Sequence, residues 1–197
     1  EQQVLSLFVY EDPSSFTLYP RKDNPRSLVV DLSSQGQLKI PYRLCPELLV
    51  LTVVTREIRE AIIEPWVQSV KYYGYQHQIL GRNDKWGGWP YRTQKYLDYL
   101  RQVKQEQPEV DVVILSDATD LIFVAPAQEA YDKFKQGSHR IIIGSESKIY
   151  YRNGRHDTYV IENYFIERCR SRFCFPNGGF IIAEIDALIP LLEANLK

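Results

Sequence analysis

Residues 112–120 read VVILSDATD, an unbroken apolar run that ends in two aspartates three positions apart, Asp117 and Asp120. An apolar run without alternation predicts a strand buried on both faces, as in a parallel sheet covered by helices. In open α/β sheets the ligand crevice lies beyond the carboxyl ends of such strands. Two carboxylates there favour a divalent cation, which allows the site to bind an anionic ligand such as a diphosphate. The alternative is that the aspartates only cap a turn.

Further strands are predicted on both sides of this run. Residues 48–55, LLVLTVVT, form a second unbroken apolar run, and shorter apolar segments lie at 75–80, 140–144 and 179–183. Helical patterns separate these segments. Strands that alternate with helices indicate an α/β fold with a mostly parallel sheet and helices on both faces.

Four helices are predicted in the same region. In the first, Pro65 is expected to cause a break or a new start, since proline disrupts a helix interior. The second is expected to open at Pro90, and two more are predicted at 127–136 and 185–196. The residues expected on buried helix faces are Ile58, Ile62, Trp66 and Val70 in the first helix and Tyr96, Leu97, Leu100 and Val103 in the second.

The first 46 residues follow another pattern. Short apolar pieces, separated by Asp-Pro, Asn-Pro and Ser-Ser-Gln-Gly turns, predict small strands or hairpins. These pieces lie at 4–10, 16–19, 27–32 and 37–40. We therefore divide the chain into an N-terminal lead-in, 1–46, and a main domain, 47–197. A polar, tyrosine-rich stretch at 150–172 is expected to be mobile.

The overall composition excludes several classes of protein. The 197 residues are 44% hydrophobic and 25% charged, with a formal net charge of −1, as in a globular domain with one sizeable core. The absence of a basic block argues against nucleic acid as the main partner, and no apolar run of membrane-spanning length is present. The sequence also lacks the glycine-rich motifs of dinucleotide oxidoreductases and P-loop NTPases and the serine elbow of α/β-hydrolases.

The spacing of the cysteines and histidines limits the disulfide and metal-binding roles that they can have. Cys169 and Cys174 either close a small loop in an oxidising compartment or remain reduced and buried. Their spacing is not that of a zinc site. The histidines, His77, His139 and His156, show no metal-ligand spacing and are interpreted as ordinary surface or loop residues.

Six short motifs in order carry a family resemblance. They are LVLTVVT (49–55), WGG (86–88), TQK (93–95), LSDATD (115–120), GSES (144–147) and PNGGFI (176–181). The series resembles the amino-terminal glycosyltransferase domain of the lysyl hydroxylases, which are collagen-modifying enzymes, and more loosely the procollagen galactosyltransferases. The resemblance runs from residue 47 to residue 197. It implies a GT-A fold, a nucleotide-binding α/β sandwich.

The resemblance also implies an activity. The enzyme would use Mn²⁺ to transfer a hexose, galactose or glucose, from a UDP-sugar to an acceptor hydroxyl. In the family the acceptor is hydroxylysine or galactosyl-hydroxylysine in collagen-like sequences. The same resemblance implies the secretory pathway, and within it the lumen of the endoplasmic reticulum.

Several positions acquire roles through this resemblance. Asp117 and Asp120 fall on the metal-binding pair, and Mn²⁺ favours such oxygen ligands. Val53 and Thr55 fall on the strand end at the uridine. Lys95 falls close to the nucleotide, although a lysine on an amphipathic helix can equally face water.

Other positions fall around the donor sugar. Trp86 lies in the loop over the donor, or else anchors that loop to the core. Thr119 stands where the family tends to have tyrosine, which leaves uridine stacking at this position open. Tyr150 falls near an aromatic position that gates the pocket. The positions beside the sugar are Asn177, Gly178 and Gly179, for which a plain turn is the alternative.

The acceptor side is less defined. No catalytic residue is assigned, and Glu146 is a weak candidate for an acceptor-side carboxylate. In the family an acidic cluster and a metal-binding histidine follow the Gly-Gly strand, so we expect these residues beyond Lys197. The leading hypothesis is a metal-dependent glycosyltransferase. The alternatives are a non-catalytic structural or collagen-binding domain of the same fold, and a nucleotidyltransferase.

Overall fold

A computed structural model gives the structure of residues 17–20, 28–31, 42–147, 163–169 and 173–196. Its first two strands, β1 (Thr17–Pro20) and β2 (Leu28–Asp31), form an antiparallel pair. They coincide with two of the four strands predicted in the N-terminal lead-in. The other two predicted strands and most of the polar stretch at 150–172 lie outside the described residues.

The remaining elements alternate between strand and helix. In chain order they are β3 (Cys45–Val53), α1 (Glu60–Tyr72), β4 (Tyr75–Leu80), α2 (Gly88–Glu106), β5 (Val112–Ser116), α3 (Ala127–Gln136), β6 (Ile141–Glu146), α4 (the described part of a helix, 163–168), β7 (Phe175–Glu184) and α5 (Ile185–Asn195). Five of the strands form one sheet in the order β4-β3-β5-β7-β6. β3 pairs parallel with β4 and β5, whereas β7 pairs antiparallel with β5 and β6. Four of the five strands therefore run in the same direction.

Every β5 residue is buried, and successive side chains along a strand point to opposite sides of the sheet. Both faces of the sheet are therefore covered, and helices provide that cover. Val112 and Ile114 pack with α1 and α3 on one face. Val113 and Leu115 pack with α2 and α5 on the other. The structure confirms the predicted α/β fold, with a mostly parallel sheet and helices on both faces.

The longest strand of the sheet, β7, extends beyond its predicted bounds. β7 spans Phe175–Glu184, whereas the apolar pattern predicted only 179–183. Its first half contains Pro176 and two glycines, which weaken any strand pattern in the sequence. The pairing with β6 shifts register between Ile143 and Gly144, and this irregularity accommodates the proline-containing end of the strand.

The break predicted at Pro65 is wrong. α1 is continuous from Glu60 to Tyr72. Both Pro65 and Ala61, the residue whose carbonyl would receive the missing hydrogen bond, are exposed, so water can satisfy that carbonyl. The predicted face is also partly wrong, because Ile62 is exposed and Ile63 is buried instead. The four buried positions of α2 are confirmed.

No disulfide joins the cysteines of the described residues. Cys45 is buried, and burial, with smaller effects from Glu47, raises its pKa to about 11. Cys169 and Cys174 are half-buried and not bridged. Within the described part of the chain, no helix combines the length and apolar character needed to cross a membrane.

Candidate functional site

The candidate site lies at the edge of the sheet where β3 and β5 end. Leu51 of β3 pairs with Leu115 of β5, so the chain leaves both strands at this same edge. Ser116 is fully buried, and its Oγ accepts a hydrogen bond of 3.0 Å from Trp66 Nε1. The next residue, Asp117, therefore emerges from a fixed strand end. Its side chain is 38% exposed.

Asp117 and Asp120 share this corner. Burial raises the pKa of Asp120, and the charge of Asp117 raises it further. A hydrogen bond from Thr119 offsets part of the effect. The negative charge of Asp117 therefore acts on Asp120, and a bound cation would relieve this repulsion.

A buried arginine that the sequence analysis did not select completes the corner. The Arg92 side chain is only 12% exposed, and one of its terminal nitrogens lies 2.7 Å from Asp117 Oδ1. The same nitrogen lies 3.3 Å from the carbonyl oxygen of Gly178, and Nε donates to the hydroxyl of Tyr96 at 3.3 Å. Burial alone would lower the pKa of Arg92, but its interactions with Tyr96 and Asp117 outweigh that effect and the net pKa is raised. The guanidinium therefore stays charged.

The segment Asn177-Gly178-Gly179 closes the corner from the β7 side. Asp117 donates its backbone N–H to the carbonyl oxygen of Gly179 at 2.8 Å. The side-chain oxygen of Asn177 accepts a 2.6 Å hydrogen bond from the Gly179 N–H, and its amide nitrogen donates to Glu146. Glu146 thus holds the Asn177 side chain, which in turn holds the backbone of Gly179.

Gly179 has no room for a side chain. A Cβ there would lie 3.0 Å from Asp117 Oδ2 and 3.0 Å from the side-chain oxygen of Asn177, whereas a Cβ on Gly178 would meet nothing within 4 Å. Gly179→Ala is therefore expected to lower the free energy of unfolding by about 1 kcal/mol, the lower end for overpacking. Gly178→Ala, the matched control, is expected to be neutral or slightly stabilising. Chemical denaturation of both variants measures the difference, and equal stabilities would contradict the close approach.

Lys95 lies one turn further along α2 and is not free. Its Nζ lies 2.7 Å from Asp84 in the loop at 81–87, and Tyr91 donates to the same carboxylate at 2.7 Å. The hydrogen bond with Lys95, and then that with Tyr91, lowers the pKa of Asp84. In this structure Lys95 therefore ties the loop to α2.

Trp86 ends that loop and is 42% exposed. Its ring packs perpendicular to Trp89, with ring centres 5.6 Å apart, and to Tyr91 at 6.2 Å. The Trp86 N–H lies 3.4 Å from a Glu57 oxygen, and a hydrogen bond from buried Thr55 holds the pKa of Glu57 below its ordinary value. Trp86 is thus anchored at its backbone while much of its ring stays open to solvent.

Several of the predicted positions are linked to the corner through intervening residues. Val53 connects to the corner because its backbone hydrogen-bonds the Tyr96 hydroxyl, which also accepts from Arg92. The Arg92 guanidinium lies 5.7 Å from the ring centre of Trp89, which links the corner to the aromatic loop. Tyr150 lies outside the described residues.

The two aspartates fit a cation of the Mn²⁺ type. They offer hard oxygen ligands at a partly exposed corner, where loss of hydration and then the charge of Asp117 raise the pKa of Asp120. In the parts of the chain for which the structure gives coordinates, no three His, Cys, Asp or Glu side chains come together as a metal site. The protein would thus supply two ligands, with the rest from the bound ligand and water.

Arg92 could have been detected from the sequence. It lies four residues before Tyr96, on the same stripe of α2 that buries Leu100 and Val103. A charged residue on an apolar face needs a buried partner of opposite charge, because an unpaired buried charge is strongly unfavourable. Asp117 is that partner.

A cavity of about 380 Å³ lies elsewhere, at the opposite edge of the sheet. Lys104, Lys135 and Arg140 line it, and each is ion-paired with an acidic side chain of the same wall. Its charges are mutually neutralised and none belongs to the Asp117 corner. We interpret this region as a structural ion-pair network.

Comparison with known proteins places the chain in a family. A family model described as the PLOD GT domain matches residues 44–194. Among curated relatives, Procollagen-lysine,2-oxoglutarate 5-dioxygenase 2 of Homo sapiens is 24% identical over 141 residues, enzyme 1 of the same name from Gallus gallus is 29% identical over 140, and enzyme 2 from Mus musculus is 25% identical over 141. Each match covers 68% of this chain and 18% of the relative. The chain thus spans less than a fifth of the length of these relatives.

A solved structure with a related outline is mouse Xyloside xylosyltransferase 1 in its apo form, with a TM-score of 0.44 and 12% sequence identity. The match covers 80% of this chain and 72% of that chain. The family model alone spans well over half of the 197 residues. The chain therefore belongs to the PLOD GT domain family, the glycosyltransferase domains of the lysyl hydroxylases.

Proposed function

We propose that this domain is a Mn²⁺-dependent hexosyltransferase that takes galactose or glucose from a UDP-sugar. The observation that carries the proposal is the Asp117 and Asp120 corner, at the carboxyl end of a buried central strand, in a chain of a glycosyltransferase family. Ligands of open α/β sheets bind at this position. The corner is acidic, half-exposed and built on rigid elements.

Asp117 and Asp120 would hold the metal through their carboxylate oxygens. When bound, Mn²⁺ supplies the positive charge that neutralises the diphosphate of the departing UDP. Thr119, exposed between the two, would face the nucleotide side of the same turn. The strand end at Ser116, buried and hydrogen-bonded, keeps both carboxylates in position without reorganisation.

The nucleotide would lie along the ends of β3 and β5. Val53 and Thr55 would border the uridine, because they leave the sheet beside Asp117. Lys95 would act near the nucleotide mainly by holding the loop at 81–87 through Asp84, as the 2.7 Å ion pair indicates. Trp86 would cover the donor with the exposed part of its ring.

The sugar would lie against the first half of β7. Gly178 and Gly179 present backbone with no side chain between the ligand and Asp117, and Asn177 fixes this segment through its hydrogen bonds to Gly179 and Glu146. Tyr150, outside the described residues, is retained as the proposed gating aromatic.

The acceptor proposal rests on the relatives. Their name, procollagen-lysine,2-oxoglutarate 5-dioxygenase, supports a collagen-like protein as the acceptor, through hydroxylysine or galactosyl-hydroxylysine. It likewise supports residence in the secretory pathway, in the lumen of the endoplasmic reticulum. Because the chain matches 18% of each relative, the activity of the remainder is not transferred to it.

Titration of the 197-residue chain with UDP, with and without Mn²⁺, tests the proposal. We expect UDP to bind at least about 10-fold more tightly with the metal, since a divalent cation bridges carboxylates and diphosphate. A non-catalytic module of the same fold would show no metal-dependent binding. Product analysis with UDP-galactose and UDP-glucose, against a nucleoside triphosphate plus sugar phosphate, separates a glycosyltransferase from a nucleotidyltransferase.

A further inference from the structure

Arg92 is a mostly buried cation that forms an ion pair with Asp117, a proposed metal ligand. Its side chain is 12% exposed, and its polar contacts are Asp117 Oδ1 at 2.7 Å, the Gly178 carbonyl at 3.3 Å and the Tyr96 hydroxyl at 3.3 Å. Asp117 is the one charged group among these partners. The rings of Trp89 and Tyr96, at 5.7 and 5.5 Å, shield the guanidinium from water.

The contact changes the charge that the corner offers to a cation. Two carboxylates alone would give two negative charges, and the guanidinium reduces this to one net negative charge. Salt screens a buried pair less than a surface pair, so this reduction persists at physiological ionic strength. A divalent cation on Asp117 would also meet the positive charge of Arg92 at short range.

Arg92 already contacts one oxygen of the Asp117 carboxylate. Oδ1 accepts from the guanidinium, whereas Oδ2 lies near the backbone of Gly179, which carries no side chain. A cation must therefore share the carboxylate with the guanidinium. The anionic diphosphate of a donor would offset both positive charges at once.

We propose that Arg92 is a built-in counter-ion of Asp117 that weakens binding of the metal alone and so makes metal binding depend on the nucleotide. The inference rests on the proposed function, in that Asp117 must be a metal ligand. Its consequence is a coupling between Mn²⁺ and UDP, which by linkage raises the affinity of each for the other. Arg92 is a positioning residue here, since it acts through Asp117.

The test measures Mn²⁺ affinity by electron paramagnetic resonance, first without nucleotide and then with UDP. Arg92→Gln is expected to bind Mn²⁺ alone at least about fivefold more tightly than the parent chain, because a like charge has been removed. The coupling with UDP is expected to fall by a similar factor. Arg92→Lys keeps the positive charge and is expected to stay within about twofold of the parent.

The matched control is Arg101→Gln. Arg101 lies on the same helix and also forms an ion pair, with Glu193 at 2.7 Å, but on the exposed surface. The Arg101→Gln substitution removes the same charge from α2 and is expected to leave the Mn²⁺ affinity unchanged. If Arg92→Gln does not fold, Arg92→Met, which keeps an apolar stem beside Trp89 and Tyr96, takes its place in the same measurement.

The outcomes separate this inference from the proposed function. A gain of affinity in Arg92→Gln supports the inference, since a merely structural role would not strengthen metal binding. Unchanged or weaker Mn²⁺ binding in Arg92→Gln, with Mn²⁺-dependent UDP binding intact in the parent, overturns the inference alone. If parent and variant both fail to bind Mn²⁺ with UDP present, the metal assignment and the inference are both wrong.

Discussion

Asp117→Asn is expected to lower the Mn²⁺-dependent affinity for UDP by at least about 100-fold, because loss of a hydrogen-bond partner behind a metal ligand already costs roughly 10–100-fold. The substitution keeps the shape of the side chain and its backbone hydrogen bond to Gly179. It removes the charge that would hold the cation. Isothermal titration with UDP, at fixed Mn²⁺ and in chelator, measures the change.

The same substitution affects folding in a way that can be separated from binding. It leaves the buried Arg92 guanidinium without its charged partner, and breaking such a pair is destabilising. A lower melting temperature is therefore expected for Asp117→Asn. The double variant Asp117→Asn/Arg92→Gln removes both charges, and it is expected to recover stability without recovering metal-dependent binding.

Asp120→Asn provides a cleaner binding test at the same corner. Burial and the neighbouring Asp117 charge raise the pKa of Asp120, so folding favours its neutral form. The ionised carboxylate therefore costs stability at neutral pH, and Asp120→Asn is expected to melt at the same or a higher temperature. It should nonetheless lose Mn²⁺-dependent UDP binding.

The control for both variants is Asp132→Asn. Asp132 is an exposed carboxylate on α3 that accepts a hydrogen bond from Gln128 at 3.0 Å, away from the corner. It should bind Mn²⁺ and UDP as the parent chain does. Parent-like UDP binding in both Asp117→Asn and Asp120→Asn would show that the cation site has been assigned to the wrong residues.

Buried strands were the most predictable part of the fold. The runs at 48–55 and 112–116 contain no charged residue and are mostly apolar, which favours strands covered on both faces. The helix at 127–136 and the strand at 75–80 were likewise predicted with their observed bounds. In each case the sequence pattern and the tertiary packing favour the same structure.

Predictions failed where tertiary context outweighed a local rule. Pro65 lies inside α1 because its cost falls on the solvent side of the helix, while Ile63 and Trp66 hold the buried side. The first half of β7 is not predicted because its pairing with β6 outweighs the weak strand propensity of its proline and glycines. Neither effect is local in sequence.

The candidate site likewise combines residues that the sequence predicts with contacts that only the fold creates. Asp117 could be predicted because it directly follows a buried strand. Arg92 could not be assigned a partner from the sequence, because Asp117 is 25 positions away and the two meet only when α2 packs across the sheet edge. The contact of Gly179 with Asp117 depends in turn on the antiparallel pairing of β7 with β5.

Trp66→Ala is expected to lower the free energy of unfolding by about 3–5 kcal/mol, the range for truncating a large buried aromatic side chain. Trp66 has no exposed surface, and its ring packs edge-on against Phe123 and His77. Ile62→Ala, in the same helix at a position 39% exposed, is the control and is expected to cost less than about 1 kcal/mol. Urea denaturation of both variants provides the comparison.

The hydrogen bond from Trp66 to Ser116 makes this prediction relevant to the site. Trp66→Phe keeps most of the apolar burial but leaves the buried Ser116 hydroxyl without its donor, which costs about 1–3 kcal/mol. Adding Ser116→Ala removes the unsatisfied group, so the double variant should lose less stability than the sum of the two single variants. Because Ser116 immediately precedes Asp117, the single variant should also weaken Mn²⁺-dependent UDP binding, and the double variant should restore part of it. If the two substitutions are simply additive in stability and in binding, the Trp66 hydrogen bond does not position the acidic corner.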